Sequence, residues 1–284
     1  MPATPPLRST CVVVSHYNAW PTDQLIRLLD QTLALRPDRP FHTRVAVNRA
    51  LDKDLVLPSR HAHVDILYRG NTGYNIGAWD LGWRDEPAFD AYLFLQEECV
   101  LRGRGWLDAF IHRLHDPCVG LVGESLVWER PWRELEATQH RPDGDLFRID
   151  GLPVDHFACY YEHMRRQGVE RGATGAHLQS LIWAARRDVL EKIGPFPVGL
   201  DYGEAVSAEI LVSKKVQALG LAVCQVGWLP FTRIEHPQWK TPWPKRVWRQ
   251  TVMRWTPSGI RTRLLMLRNG WRRVRQLRGS GRAG

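Results

Sequence analysis

From His236 to its last residue the chain has no aspartate or glutamate, although thirteen lysines and arginines fall in that stretch. The first 235 residues hold 26 basic against 30 acidic side chains, so the overall charge of +9 is a body near −4 with a tail of +13. Such asymmetry predicts an acidic partner for the tail, either an anionic membrane surface or nucleic acid. Cysteine is also sparse. Cys11, Cys99, Cys118, Cys159 and Cys224 are odd in number, widely spaced and form no CxxC pair, which argues against a disulfide framework and against a zinc site. No run approaches the ~20 apolar residues that a membrane-spanning helix needs, and the opening MPATPPLRST lacks an apolar core of signal-peptide length. A cytoplasmic protein is expected. With 284 residues, 44% of them hydrophobic, the chain can bury a substantial core, which excludes a disordered protein and predicts one large domain with or without an appendage.

What the sequence has in place of these is one informative stretch, Arg69 to Glu98. Asn71, Gly73, Gly77 and Gly82 are spaced so that backbone can approach a ligand closely, with Asn75 and Asp80 between them, and the reading is a small-residue turn. Ala91 to Leu95, AYLFL, is then a continuous apolar run of strand length, and Gln96, Glu97 and Glu98 follow where that strand should emerge. Open α/β sheets place their chemistry at the carboxyl ends of central strands.

Around this stretch, strand and helix patterns alternate. Cys11 to Tyr17 reads as a buried strand, Pro21 to Leu35 as a helix, His42 to Asn48 and His63 to Arg69 as strands, Gly105 to Asp116 as an amphipathic helix and Val119 to Leu126 as a strand. That alternation predicts an α/β fold with a mostly parallel central sheet flanked by helices. Residues 127–175 are less regular and read as an insertion or lid, with an aromatic, histidine-rich segment at Asp155 to His163. Gly172 to Phe196 restores order as turn, strand and short helix, and a helix over Ala205 to Leu219 ends at Gly220 before a strand, LAVCQVG. Two further helices, Lys245 to Trp255 and Gly259 to Leu277, are expected in the tail. The expected division is a domain over 1–240 and a basic, helical Trp/Arg-rich appendage over 241–284.

Taken in order, these segments resemble the GT-A-fold glycosyltransferases of family two, over about Cys11 to His236. The residues that carry the resemblance are SHYN at Ser15 to Asn18, the NxG(F/Y)xxGxxxG-like series Asn71, Gly73, Tyr74, Gly77 and Gly82, and FLQEE at Phe94 to Glu98 in the place of the acidic DxD. Further along lie Gly105-Trp106-Leu107, Arg186-Arg187 through Phe196, Glu209 with Gly220, and His236. HLQS at His177 to Ser180 is similar to a segment of rhamnan-synthesis glycosyltransferases. Three positions depart from the family pattern: Gln96 stands for the first acid of DxD, Asn48 for the aspartate that holds the nucleotide base, and Ala208 for the first acid of a Glu-Asp pair.

The resemblance implies an inverting transfer of a sugar from a nucleotide-sugar donor to a glycan or lipid-linked saccharide, helped by Mn²⁺ or Mg²⁺. It assigns Glu98 and His236 to the metal, and Ser15, Tyr17, Asn18, Asn48, Arg69, Asn71, Gly73, Asn75, Gly77, Asp80, Gln96 and Glu97 to the nucleotide sugar. Glu209 is the implied base, with Glu204 as the alternative, and either is equally an acid favoured electrostatically in a helix first turn. His156, His177 and Arg186 are expected near the acceptor. Trp239, Trp243, Trp248, Trp255 and Trp271, interleaved with arginines, suit an anionic bilayer, so the protein is expected to bind the inner face of the plasma membrane through 242–284. Two other classes remain open: a non-catalytic GT-A-like binding protein, in which Gln96 and Ala208 mark lost chemistry, and a nucleic-acid binder acting through the tail, for which no module is visible.

Overall fold

The computed structural model describes residues 7–139, 146–237, 243–248 and 260. Its strands are β1 (Thr10–Tyr17), β2 (His42–Arg49), β3 (Asp65–Gly70), β4 (Ala91–Gln96), β5 (Val100–Leu101), β6 (Val119–Gly123), β7 (Leu126–Val127), β8 (Arg148–Ile149), β9 (Leu152–Pro153), β10 (His177–Leu178), β11 (Ile182–Arg186), β12 (Ala222–Gln225) and β13 (Ile234–Glu235). Its helices are α1 (Asp23–Ala34), α2 (Tyr74–Arg84), α3 (Trp106–Leu114), α4 (Trp132–Thr138), α5 (His156–Arg166), α6 (Arg187–Ile193), α7 (Tyr202–Ala218) and α8 (Trp243–Trp248).

Seven strands form one sheet in the order β12-β6-β11-β4-β1-β2-β3. β11 is antiparallel to β4 and β6, and the other four pairings are parallel, so the expected mostly parallel α/β sheet is what the chain forms. Period-two alternation sorts the apolar runs onto two faces. Val12, Val14, Val45, Val47, Leu93 and Leu95 pack against α1 and α3 on one face, through Leu25, Leu28, Leu29, Trp106, Leu107 and Phe110. Cys11, Val13, Ala46, Tyr92, Phe94 and Trp183 face α2, α6 and α7 on the other. β1, β4, β6 and β11 are buried almost throughout because both of their faces are covered, whereas β3, at the edge of the sheet, is half-exposed.

The stretch expected to be a turn beyond Gly73 is instead the helix α2. Glycine in a helix costs about 1 kcal/mol relative to alanine, which is why three glycines read as a turn. Packing overrides this. A Cβ on Gly82 would lie 2.3 Å from Val13 Cγ1, and one on Gly77 would lie 2.4 Å from both Arg69 Nη1 and the Thr72 carbonyl. Both glycines therefore let α2 lie close on β1 and on the turn that begins it.

Residues 127–175 are more regular than expected, with α4, the β8–β9 hairpin and α5. They form a third core in which Trp132, Leu135, Phe147, Phe157 and Tyr160 pack on Ile210 and Leu211 of α7. β7 and β10 pair at the base of this insert, His177 opposite Val127. The helix expected at Ala205 begins earlier, at Tyr202, because Asp201 caps it by accepting from the Glu204 N–H at 2.8 Å. Of the tail helices, only α8 and Ile260 fall among the described residues. The expected membrane-facing surface and appendage otherwise lie outside them. No described helix is long and apolar enough to cross a membrane.

Candidate active site

Parallel pairing brings the carboxyl ends of β1, β2, β3 and β4 to one edge of the sheet, with Tyr17 beside Asn48, Asn48 beside Arg69, and Ser15 beside Gln96. β11 runs the other way, so its entry, at Ser180 and Leu181, lies at the same edge. Chemistry separated by more than 200 residues of sequence meets there.

Beyond the ends of β1 and β2, Asn18 is a buried brace. Its amide donates to the Leu51 carbonyl at 2.7 Å, and its carbonyl accepts from the Ala50 and Leu51 N–H groups at 2.7 and 3.0 Å. Asn48 donates to the Tyr74 carbonyl at 2.9 Å and accepts from Arg69 at 2.9 Å, tying β2 and β3 to the start of α2. Gly73 and Tyr74 are both left-handed, with φ of 75° and 52°, and a Cβ on Gly73 would lie 2.5 Å from Val198 Cγ1. Only glycine fits that position. Asn71 is exposed in the same turn. Burial pushes the Arg69 guanidinium down, against the charge of Asp80. Asp80 itself accepts from the Phe196 N–H at 2.8 Å and the Trp83 indole at 3.2 Å, so its carboxylate fixes α2 to the loop after α6. Ser15 is buried, with its hydroxyl on the Leu95 carbonyl at 3.3 Å.

The three residues after Leu95 have separate fates. Glu97 is turned inward, 2% exposed, with its carboxylate 2.6 Å from His16 Nδ1 and accepting from the Tyr17 N–H at 3.3 Å. Gln96 donates to the Ser180 carbonyl at 2.9 Å, while its amide oxygen lies 3.0 Å from His236 Nε2. Glu98 Oε2 is 3.8 Å from the same nitrogen. Burial raises the Glu98 carboxyl, but hydrogen bonding and charge from His236, a backbone N–H and the charge of His16 outweigh it, and the net direction is down. No group of three His, Cys, Asp or Glu side chains that could hold a metal ion occurs among the described residues. Glu98, His236 and the Gln96 amide oxygen are nevertheless clustered as one carboxylate, one imidazole and one amide oxygen. That set fits part of the shell of a hard divalent cation, whose other positions water or phosphate oxygens can fill.

On the other side, Glu209 lies on α7, half-buried. Its Oε2 accepts from the Ser180 N–H at 2.6 Å and the Ser180 hydroxyl at 2.8 Å, and its Oε1 is 3.2 Å from His177 Nε2. The opposite nitrogen of His177 lies 2.7 Å from the Gly175 carbonyl, and Trp128, at φ 57°, meets the ring edge-on at a centroid distance of 5.0 Å. Asn75 donates to the Ser180 carbonyl at 2.5 Å. Ser180 thus joins Asn75 and Gln96 on one side to Glu209 on the other. It was not among the expected site residues, although HLQS includes it.

The other expected residues lie elsewhere or are otherwise engaged. Glu204 accepts from the Leu200 N–H at 2.5 Å in the first turn of α7, a capping arrangement. His156 is 1% exposed, inside the insert against Phe147, Phe157 and Tyr160. Arg186 is carried to the opposite edge, where its guanidinium donates to the Leu114, Asp116 and Val119 carbonyls at 3.1, 3.2 and 2.8 Å. A side chain ending a strand antiparallel to β4 emerges beside the beginning of β4, away from Gln96.

One acid escaped notice. Glu124, 1% exposed at the end of β6, accepts from the Thr232, Arg233 and Ile234 N–H groups at 3.0, 2.8 and 2.7 Å. Burial pushes its carboxyl up to about 7 against the opposing effect of these N–H groups. The signal was an acid directly after an apolar strand, the one that drew attention to Glu97 and Glu98.

No protein-family model and no curated protein matches the chain. Among solved structures it is similar to the mannosyltransferase PcManGT from Pyrobaculum calidifontis in complex with GDP-Man and Mn²⁺, at 16% identity and a TM-score of 0.47, over 77% of this chain and 54% of that one. It is also similar to glucosyl-3-phosphoglycerate synthase from Mycobacterium tuberculosis in complex with Mn²⁺, UDP and phosphoglyceric acid, at 14% identity and a TM-score of 0.47, over 84% of this chain and 73% of that one. The chain spans about half the length of the mannosyltransferase. Likeness at this level leaves substrate and reaction to be argued from the site.

Proposed function

We propose that the chain is a glycosyltransferase that moves a sugar from a nucleotide-sugar donor to a hydroxyl of a glycan or lipid-linked saccharide, with inversion at the anomeric carbon. The observation that carries this reading is the linkage through Ser180: its carbonyl accepts from Gln96, at the end of the central strand, and its N–H and hydroxyl hold the carboxylate of Glu209. A carboxylate fixed beside the strand edge suits a base, because proton removal needs one group held in a defined place.

In this reading Asn48, Arg69 and the left-handed turn at Gly73 shape the nucleotide side. Glu209 takes the proton of the acceptor hydroxyl as its oxygen attacks the anomeric carbon, and the bond from that carbon to the diphosphate breaks on the far side. Glu98 and His236, with the Gln96 amide oxygen, would hold Mn²⁺ or Mg²⁺, and a bound cation would supply charge neutralisation for the leaving diphosphate. Residues 242–284 place the protein at an anionic membrane surface, in keeping with their charge and tryptophan content; binding to anionic liposomes that persists after their deletion would contradict this.

A second reading, a non-catalytic sugar-nucleotide binder, has one observation in its favour: Gln96 replaces an acid, and its amide is already engaged with Ser180 and His236. The experiment that separates the two is a thermal-shift screen of UDP, GDP, dTDP and CMP sugars with Mn²⁺, Mg²⁺ or chelator, followed by assay of metal-dependent donor turnover. Ligands that bind only the folded state raise its melting temperature. A shift with turnover supports transfer, a shift without turnover supports the binder, and no shift with any donor overturns both.

A further inference from the structure

We propose that Glu124 is a positioning residue for His236, holding the backbone that delivers this histidine to Gln96 and Glu98; the functional part of this inference rests on the reading of His236 as part of the donor site. His236 arrives from far along the chain, after β13, which is only two residues long and pairs with the two-residue β5 just beyond Glu98. So short a ladder sets a backbone poorly by itself. Around it are a bond from the Arg102 N–H to the Arg233 carbonyl, at 3.0 Å, and an ion pair of Arg102 with Glu235 at the surface.

The interior side is held differently. The Glu124 carboxylate receives three successive N–H groups, from Thr232, Arg233 and Ile234, the last of them two residues before His236. The Phe231 N–H lies 3.4 Å from the Glu124 main-chain carbonyl, so this one residue engages four consecutive backbone donors. Consecutive N–H groups converging on one carboxyl group fix the orientation of the peptide planes that supply them. The side chain of His236 is fully buried, and its Nε2 is aimed at Gln96 and Glu98. A rotation of the preceding peptides would carry that nitrogen away from both. β6, which leads directly into Glu124, is separated from β4, which supplies Gln96, by the antiparallel β11. Glu124 therefore ties one half of the sheet to a residue that works on the other.

The test uses the full chain with Glu124→Gln, which sets an amide N–H₂ against N–H donors, and Glu124→Asp, which keeps the charge but withdraws it by one methylene. Three quantities are measured: amide hydrogen exchange in peptides spanning 231–237, the ring resonance of His236 assigned by its loss in His236→Ala, and Mn²⁺ affinity from the paramagnetic signal of free Mn²⁺. The expected result is at least tenfold faster exchange in that segment, a displaced His236 resonance, and Mn²⁺ affinity lower by about 10- to 100-fold, as for other groups that orient a metal ligand. The double variant Glu124→Gln/His236→Ala is expected to bind Mn²⁺ no more weakly than His236→Ala, because the first residue acts through the second. Unchanged exchange and an unmoved resonance in a folded Glu124→Gln protein would overturn the proposal, as would additive losses in the double variant. Failure of both Glu124 variants to fold would also overturn it, in favour of a purely structural carboxylate. Should the wild type bind no Mn²⁺, the metal reading of the site falls, while exchange and the ring resonance still decide whether Glu124 sets His236.

Discussion

Ser180 donates its backbone N–H and its hydroxyl to the same oxygen of Glu209, at 2.6 and 2.8 Å. Ser180→Ala removes one of these donors and leaves the other in place. A hydrogen bond to a charged group contributes about 1.5–3 kcal/mol, so kcat is expected to fall by roughly tenfold or more with donor KM little changed. Steady-state kinetics on the donor found in the thermal-shift screen would show it. An equal rise in KM with kcat intact would mean that Ser180 serves binding rather than the base.

Glu98→Ala and His236→Ala are each expected to abolish the metal-dependent part of the nucleotide-sugar thermal shift. His236 contributes to the downward displacement of the Glu98 carboxyl, so the charged form is available at neutral pH. A metal-dependent shift that survives in Glu98→Ala would remove this carboxylate from the donor site.

The carboxyl of Glu124 gives the fold a pH dependence with a definite sign. Its folded value of about 7 lies above the ordinary 4.5, because burial disfavours the charge. Below the lower value both folded and unfolded chains carry the proton. Between the two, only the folded chain does, so this group's contribution is lost as pH rises through about 7. The urea midpoint of the wild type should therefore decline between pH 5 and pH 8 more steeply than that of Glu124→Gln.

Gly77→Ala should damage both stability and donor binding. Its Cβ would meet Arg69 Nη1 and the Thr72 carbonyl at 2.4 Å; the backbone carbonyl has little freedom to yield, and a displaced Arg69 loses Asn48. A cost of about 1–3 kcal/mol is expected from overpacking of this kind. Gly70→Ala, with nothing within 4 Å of the added carbon, is the control. Equal melting temperatures for the two variants would contradict the packing account.

The sheet was legible because its central strands β1, β4 and β6 carry apolar residues on both faces, and β1, β2, β3, β4 and β6 fall close to where the sequence pattern places them. α2 was not, since its glycines answer to Val13, Arg69 and Thr72, contacts that no local window contains. The site was readable in halves. An acid after a buried strand pointed to Gln96–Glu98, yet nothing local distinguishes the inward Glu97 from the outward Glu98. Arg186 was misplaced because strand direction decides which edge a terminal side chain reaches, and β11 runs against its neighbours. Ser180 acts mainly through its main chain, which residue-type patterns do not register. Glu124 had the right signal, but its partners lie more than a hundred residues away.

The β7–β10 pairing has an evolutionary consequence. Val127 and His177 sit opposite each other, so everything between them leaves and re-enters the framework at one point. A loop closed at such a neck can grow cheaply, each doubling of its length costing only about 0.6 kcal/mol in closure entropy. The segment between them can thus change in length while the pairing that closes it keeps its register, provided that its packing on Ile210 and Leu211 of α7 is kept.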